Sequence, residues 1–211
     1  MEIEKEPLVE KETGRLEAFS DGVFAIAITL LILELKVPSL VAEDISSASL
    51  GKVLLQQWPS YFSLVTSFFT ILIMWIHHHT IFSHVRRTDA WVHFANGCLL
   101  LLVTFVPYPT SVLARYWETP AAKTAAIFYS GTFILIAVCF NLVLRAAFRK
   151  KILLPSTPES FVQRSCRNYL YGPLFYGFAL VGAFIDVRVC LGICTALWIY
   201  WAATATQNAH V

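Results

Sequence analysis

Charge is what this 211-residue chain has least of. Asp, Glu, Lys and Arg together make up 14% of it, against about 25% in an ordinary soluble domain. Hydrophobic residues reach 57% and mean hydropathy is +0.62. That shortage excludes a water-soluble fold and leaves a membrane protein. A formal net charge of only +2 excludes the basic surface that nucleic-acid binding needs. The five cysteines, Cys98, Cys139, Cys166, Cys190 and Cys194, are odd in number and mostly inside apolar runs, which excludes a disulfide framework. Cys190 and Cys194 lack the nearby His or acid ligands that zinc would want, and read as small packing residues. Neither G-x-S-x-G nor H-E-x-x-H occurs, so nothing points to an enzyme. The opening MEIEKEPLVEKETGR is charged and has no apolar core; it reads as a cytosolic tail and not as a cleaved signal peptide. Low-complexity tracts and internal duplications are absent too.

What is present is a succession of apolar runs long enough to cross a bilayer. The runs predict an all-α integral membrane protein of six transmembrane helices: roughly Ala18 to Leu35, Trp58 to Phe82, Trp91 to Leu113, Lys123 to Phe148, Tyr169 to Ile185 and Val187 to Thr206. Pro107, Tyr108 and Pro109 should kink or end the third. The loop VPSLVAEDISSASLGK has room for a short interfacial helix, and RKKILLPSTPESFVQRSCRN is the most basic and turn-rich connection. The expected layout is a tail over 1–17, one six-helix transmembrane unit over 18–207 and a short C-terminus over 208–211.

Positive charge is distributed unevenly about those spans. Eleven Lys and Arg residues fall in the tail, the two-three turn and the four-five loop; five, Lys36, Lys52, Arg115, Lys123 and Arg188, fall on the other side. The positive-inside rule then puts both termini in the cytoplasm. In that orientation Ser20, Asp21, His77, His78, His79, His93, Asn96 and Asn141 share one depth, in the cytoplasmic leaflet. Polar residues at that depth face the bundle interior and pair with one another. The expected pairing has Asp21 accepting from His77 or His78, with Asn96 and Arg15 as further partners. Three readings of the histidines stand: a metal site, a pH sensor, and a structural network. Consecutive positions point about 100° apart on a helix, so His77, His78 and His79 cannot all bind one ion.

The densest stretch runs from Arg15 to Leu35, RLEAFSDGVFAIAITLLILEL. Ser20 or Asp21 can simply cap the helix; Arg15, Phe19 and the small Gly22 ask for more than a cap. Arg15, Phe19, Ser20, Asp21 and Gly22 read as R-x-x-x-F-S-D-G, and with the apolar run that follows they resemble the first helix of the transmembrane protein 175 family of potassium channels. The resemblance implies a single six-helix unit of prokaryotic type, no cofactor beyond the permeant K⁺, and a motif that holds the first helix in place by hydrogen bonds. It further implies a homo-oligomer of four subunits in the lipid bilayer, with the first helices around a central pore.

On helix one Gly22, Ile26, Thr29 or Leu30, and Leu33 recur at helical spacing, but periodicity alone does not say whether that face meets lipid, protein or water. The resemblance implies that it lines the pore, with Ile26 as the apolar constriction, Leu30 and Leu33 one and two turns on, and Thr29 as a polar ring between. Such a hydrophobic gate closes by dewetting and, when open, taxes ions by partial dehydration, a tax lower for potassium than for sodium. No T-V-G-Y-G loop is present. Glu34 stands as either an outer acidic ring or a solvated, Lys36-paired residue. The alternative function is a proton-permeable channel or a proton-coupled secondary transporter using Asp21 and the histidines.

Overall fold

The computed structural model describes residues 13–39, 46–149 and 152–208, without the side chains of Glu34 and residues 206–208. The expected tail before Thr13 and the last three residues of the expected C-terminus lie outside the described residues. Eight α-helices follow one another: α1 (Gly14–Leu30), α2 (Ser47–Gln56), α3 (Trp58–Ser83), α4 (Ala90–Phe105), α5 (Pro107–Tyr116), α6 (Ala122–Ala147), α7 (Glu159–Ile185) and α8 (Val187–Asn208), with a 3₁₀ turn over Leu31–Glu34. By length and apolar composition they make six spans, α1 with its 3₁₀ turn counting as one and α4 with α5 as another. The described part is all-helical with six candidate spans, as the apolar runs predict.

Local chemistry sets the boundaries. The third span breaks at Val106, directly before Pro107, whose ring cannot donate to the preceding turn. Ser46 and Ser49 form a reciprocal capping box at the start of α2, the short helix allowed for in the first loop. Asp89 caps α4 by accepting from the Val92 N–H at 3.1 Å. Asp186 alone separates α7 from α8; its carboxylate accepts from the Arg188 N–H at 2.6 Å. This hairpin is tight: a methyl group at Gly182 would stand 3.1 Å from Val189 Cγ1.

Two boundaries differ from expectation. Helix one begins at Gly14, inside the stretch assigned to the tail, because nothing in Gly14–Glu17 breaks a helix. Helix five begins at Glu159, ten residues before the apolar run. Hydropathy cannot see that extension, because only Phe161 and Ser165 of its first turns are buried. Phe161 stacks on His84 at 3.9 Å between ring centroids, and Glu159 complements the helix dipole.

The bundle has two ends. At the near end α1 starts, α3 ends, α4 starts, α6 ends, α7 starts and α8 ends; the connections there are joined by backbone. Val85 and Leu153 form an antiparallel bridge, with Arg86 N donating to Ile152 O at 2.8 Å and Leu154 N to His84 O at 2.9 Å. Arg149 adds an exposed ion pair to Asp89 at 2.6 Å.

α7 contains Pro173, which has no N–H for the carbonyl of Tyr169 four residues earlier. Asn141 on α6 supplies the missing donor: its Nδ2 reaches Tyr169 O at 2.7 Å and its own Ala137 O at 2.9 Å. In a hydrocarbon setting such a carbonyl has no water to turn to. A proline in one span and an asparagine in the next are thus one device.

Candidate functional site: helix one and its anchors

Helix one has two faces. Leu16, Ser20, Phe24, Ala27 and Leu31, spaced four, four, three and four apart, are buried against α3 and α4. The opposite face carries Arg15, Phe19, Gly22, Ile26, Thr29, Leu30 and Leu33, all exposed. Phe19 is 62%, Ile26 58% and Leu33 69% exposed. Gly22, Ile26, Thr29, Leu30 and Leu33 are the residues that the resemblance implies as the pore face, Arg15 and Phe19 belonging to its motif, and the protomer leaves that face uncovered. In a membrane-spanning chain such a stripe is open to lipid or to another protein. Thr29 is its polar step: the hydroxyl donates to Ile26 O at 3.0 Å, so its lone pairs remain on the exposed side.

The buried face is anchored by polar bonds at the near end, and their direction can be deduced. Ser20 Oγ donates to Leu16 O at 2.8 Å. Its oxygen must therefore accept from Asn96 Nδ2, 2.9 Å away on α4. That fixes Asn96 Oδ1 as the atom facing His78 Nε2 at 2.8 Å, so His78 donates from Nε2. The chain Ser20–Asn96–His78 ties α1, α4 and α3 together, all three side chains being buried. Phe24 leans on the His78 ring at 5.3 Å and Phe82 stacks on it at 4.5 Å.

The expected pairing of Asp21 with a histidine is not what forms. Asp21 Oδ1 accepts from Trp75 Nε1 at 2.8 Å, because Trp75 and not His78 occupies the side of α3 facing it. Trp75 in turn stacks on the exposed His79 at 5.8 Å. His77 turns away from α1 altogether. Its Nε2 donates to the Trp201 carbonyl at 3.0 Å, leaving Nδ1 to accept from the Tyr169 hydroxyl at 2.8 Å. Three consecutive histidines thus serve three neighbourhoods. Arg15 is exposed and takes no part in the Ser20–Asn96–His78 chain. His93 is exposed, 3.0 Å from the Thr88 hydroxyl. Glu34 lies at the far end of the 3₁₀ turn, its side chain outside the described residues. Next to it Gln57 Nε2 donates to the Lys36 carbonyl at 3.1 Å, tying the exit of helix one to the start of α3.

Trp75, Tyr169 and Trp201 are the partners that sequence reasoning missed. A signal existed for the first: a carboxylate at membrane depth needs a donor, and Trp75 was the neutral donor one turn from the histidines.

Comparison with known proteins decides what such an arrangement belongs to. A potassium channel of Chamaesiphon minutus is 47% identical over 92% of this chain and 95% of its own length. This chain belongs to the TMEM175 family. The family model, described as endosomal/lysosomal potassium channel TMEM175, matches residues 15–107, the stretch from Arg15 to the break at Pro107. The crystal structure of a lysosomal potassium-selective channel TMEM175 homolog from Chamaesiphon minutus superposes with TM-score 0.80 at 46% identity, covering 92% of this chain and 97% of that one. A human relative, named an endosomal/lysosomal proton channel, is 32% identical over 66% of this chain and 28% of its own length.

Proposed function

We propose that copies of this TMEM175 family member assemble around α1 as a potassium-selective channel, and that four subunits close the ring. The observation that carries the reading is the exposed stripe Gly22, Ile26, Thr29, Leu30 and Leu33 on a helix whose other face is anchored. One six-helix unit cannot enclose an axis with a single α1, whereas a cyclic assembly buries the stripe and creates the pore in one step. The names of the Chamaesiphon relative and structure support potassium as the ion.

In this reading Ile26, Leu30 and Leu33 form successive apolar rings about 6 Å apart along the axis, four residues at about 1.5 Å in the α-helix and then three at about 2.0 Å through the 3₁₀ turn. The rings act as a hydrophobic gate, and the wider of their states passes the ion whose water is cheapest to strip. Thr29 offers hydroxyl oxygens between them, and Glu34 forms an acidic ring at the outer mouth. Ser20, Asn96 and His78, with Asp21 and Trp75, set the radius at which α1 stands. Both termini face the cytoplasm, the membrane is the plasma membrane, and 18–207 acts as one channel unit with short flanking segments. No cofactor enters the conduction step.

The test is the reversal potential of purified protein in a planar bilayer, potassium on one side and sodium on the other, for the wild type and Ile26→Asn. A wild-type shift toward the potassium equilibrium potential that weakens in Ile26→Asn is expected; equal selectivity in both removes Ile26 from the filter. The human relative's name favours a second reading, proton permeation through the same pore. A pH gradient in symmetric potassium separates it, because only a proton conductance moves the reversal potential there.

A further inference from the structure

At the far end of the bundle α2 buries none of its residues, and an open groove lies between it and the connection that follows α5. Lys52 stands on the α2 side of this groove and Glu118 on the other, with Ser47, Gly51, Trp58 and Pro59 completing the lining. Both charged residues are exposed, and neither makes an ion pair or a hydrogen bond among the described residues. Trp58 and Pro59 also line a crevice of about 400 Å³ between α3, α5, α6 and α8, so the charged groove and the apolar crevice share a wall. We infer that the two together hold a phospholipid whose headgroup carries a primary ammonium, as in phosphatidylethanolamine, with its phosphate on Lys52, its ammonium on Glu118 and one acyl chain in the crevice.

The crevice has the composition and the length of a place for one chain. Its walls contain no Asp, Glu, Lys, Arg or His among the described residues, so an apolar group enters it without losing hydration, whereas a charged one would. On α3 the lining residues run from Trp58 to Thr70, twelve residues or about 18 Å along a helix axis, close to one leaflet of a hydrocarbon core about 30 Å thick. Trp58 opens α3 and is exposed, as aromatic residues at the membrane interface are. The crevice therefore starts at headgroup level and ends near the middle of the bilayer. Its flank is open, Phe62 being 57% and Val65 53% exposed, and a chain enters sideways.

The two charges choose the headgroup. A net-anionic headgroup, as in phosphatidylglycerol, satisfies Lys52 but sets a negative charge against Glu118. A choline headgroup balances both charges, yet its quaternary nitrogen has no N–H to give the carboxylate. A primary ammonium balances the charges and donates to Glu118, making charge-assisted hydrogen bonds at both ends of the headgroup. An occupied groove also ties α2 to the connection after α5, beside Gln57, whose bond to the Lys36 carbonyl holds the exit of helix one.

The probe is a phosphatidylethanolamine with a diazirine in one acyl chain, applied to the full-length protein in phosphatidylcholine vesicles, with the adducts mapped by mass spectrometry. The expected result is labelling concentrated on crevice residues such as Thr66, Phe69 and Tyr129. Unlabelled phosphatidylethanolamine added to the vesicles should reduce it at least fivefold, and phosphatidylglycerol with the same chains less than twofold. Lys52→Gln should abolish the crevice adducts. Glu118→Gln should keep them and erase the preference, so that phosphatidylglycerol displaces the probe as well as phosphatidylethanolamine does. Both substitutions are at exposed positions, and the competition arm needs no variant at all. Adducts spread evenly over lipid-exposed positions such as Phe178, Val181 and Ile185, without competition, would overturn the site. Equal displacement by the two lipids in the wild type overturns the choice of a primary ammonium, and an unchanged pattern in Lys52→Gln overturns the place of the phosphate.

Discussion

Asn96 gives both ends of its amide to helix one's anchorage: Nδ2 to Ser20 at 2.9 Å and Oδ1 to His78 at 2.8 Å. One side chain on α4 is thereby bonded to side chains of both α1 and α3. Removing it leaves a buried hydroxyl and a buried imidazole without their partner, a cost of about 1–3 kcal/mol for each orphaned group, moderated in membranes where interhelical bonds average about 0.6 kcal/mol.

Asn96→Ala should therefore lower the thermal midpoint of the purified protein by more than Ser20→Ala does, since the serine change orphans only the amide. Scanning fluorimetry in detergent measures the order; Ser20→Ala as the more damaging change would contradict the chain of donors deduced here.

Asp21 and Trp75 make a second, separable test. Asp21→Asn keeps an oxygen that can accept from Trp75 Nε1, whereas Asp21→Ala and Trp75→Phe both lose the bond. The expected stabilities put Asp21→Asn nearest the wild type, with the other two lower by about 1 kcal/mol, the net worth of an ordinary hydrogen bond, and the thermal midpoints follow the same order.

The link between Pro173 and Asn141 predicts non-additivity. Pro173→Ala restores an N–H to the Tyr169 carbonyl, so Asn141→Ala should cost less in that background than alone. A double-mutant cycle should return a coupling of about 1 kcal/mol; zero coupling would mean that Asn141 holds α6 to α7 in some other way.

Outside the spans, the carboxyl of Asp89 is held below its ordinary value, first by the Val92 N–H it caps and then by Arg149. A carboxylate depressed in the folded state contributes stability above its unfolded pKa and loses it as pH falls through the folded one. Asp89→Asn should thus be less stable than the wild type at pH 7 by a small margin, the group being exposed. The margin should vanish on acidification to below the folded value. Chemical unfolding at both pH values checks it.

The spans were legible because about twenty consecutive, predominantly apolar residues are what a helix needs to cross a bilayer. The near-end depth of the polar residues followed from topology and charge bias, and Ser20, Asn96 and His78 do meet there. Which of them pair was not legible. Rotation about a helix axis decides whether His77 or His78 faces α1, and an apolar helix carries no periodicity from which to read that rotation. The exposed face of α1 was hidden for the same reason: Val23 and Phe24 are as hydrophobic as Ile26 and Leu30. The Pro173–Asn141 pairing was readable in principle, since an internal proline leaves a carbonyl four residues back in need of a donor.

Among the described residues, the named bonds from helix one to its neighbours fall in two places: Ser20 and Asp21 in its first half, and the Gln57 bond to the Lys36 carbonyl just past its other end. Between them Phe24, Ala27 and Leu31 hold it by apolar contact, which resists separation far more than sliding. In mechanical terms it is a beam built in at one support and propped at the other, and such a beam bows most between its supports. Ile26 and Leu30 sit on that stretch, so in the proposed assembly thermal bending of the helix goes mainly into their distance from the axis and little into their height.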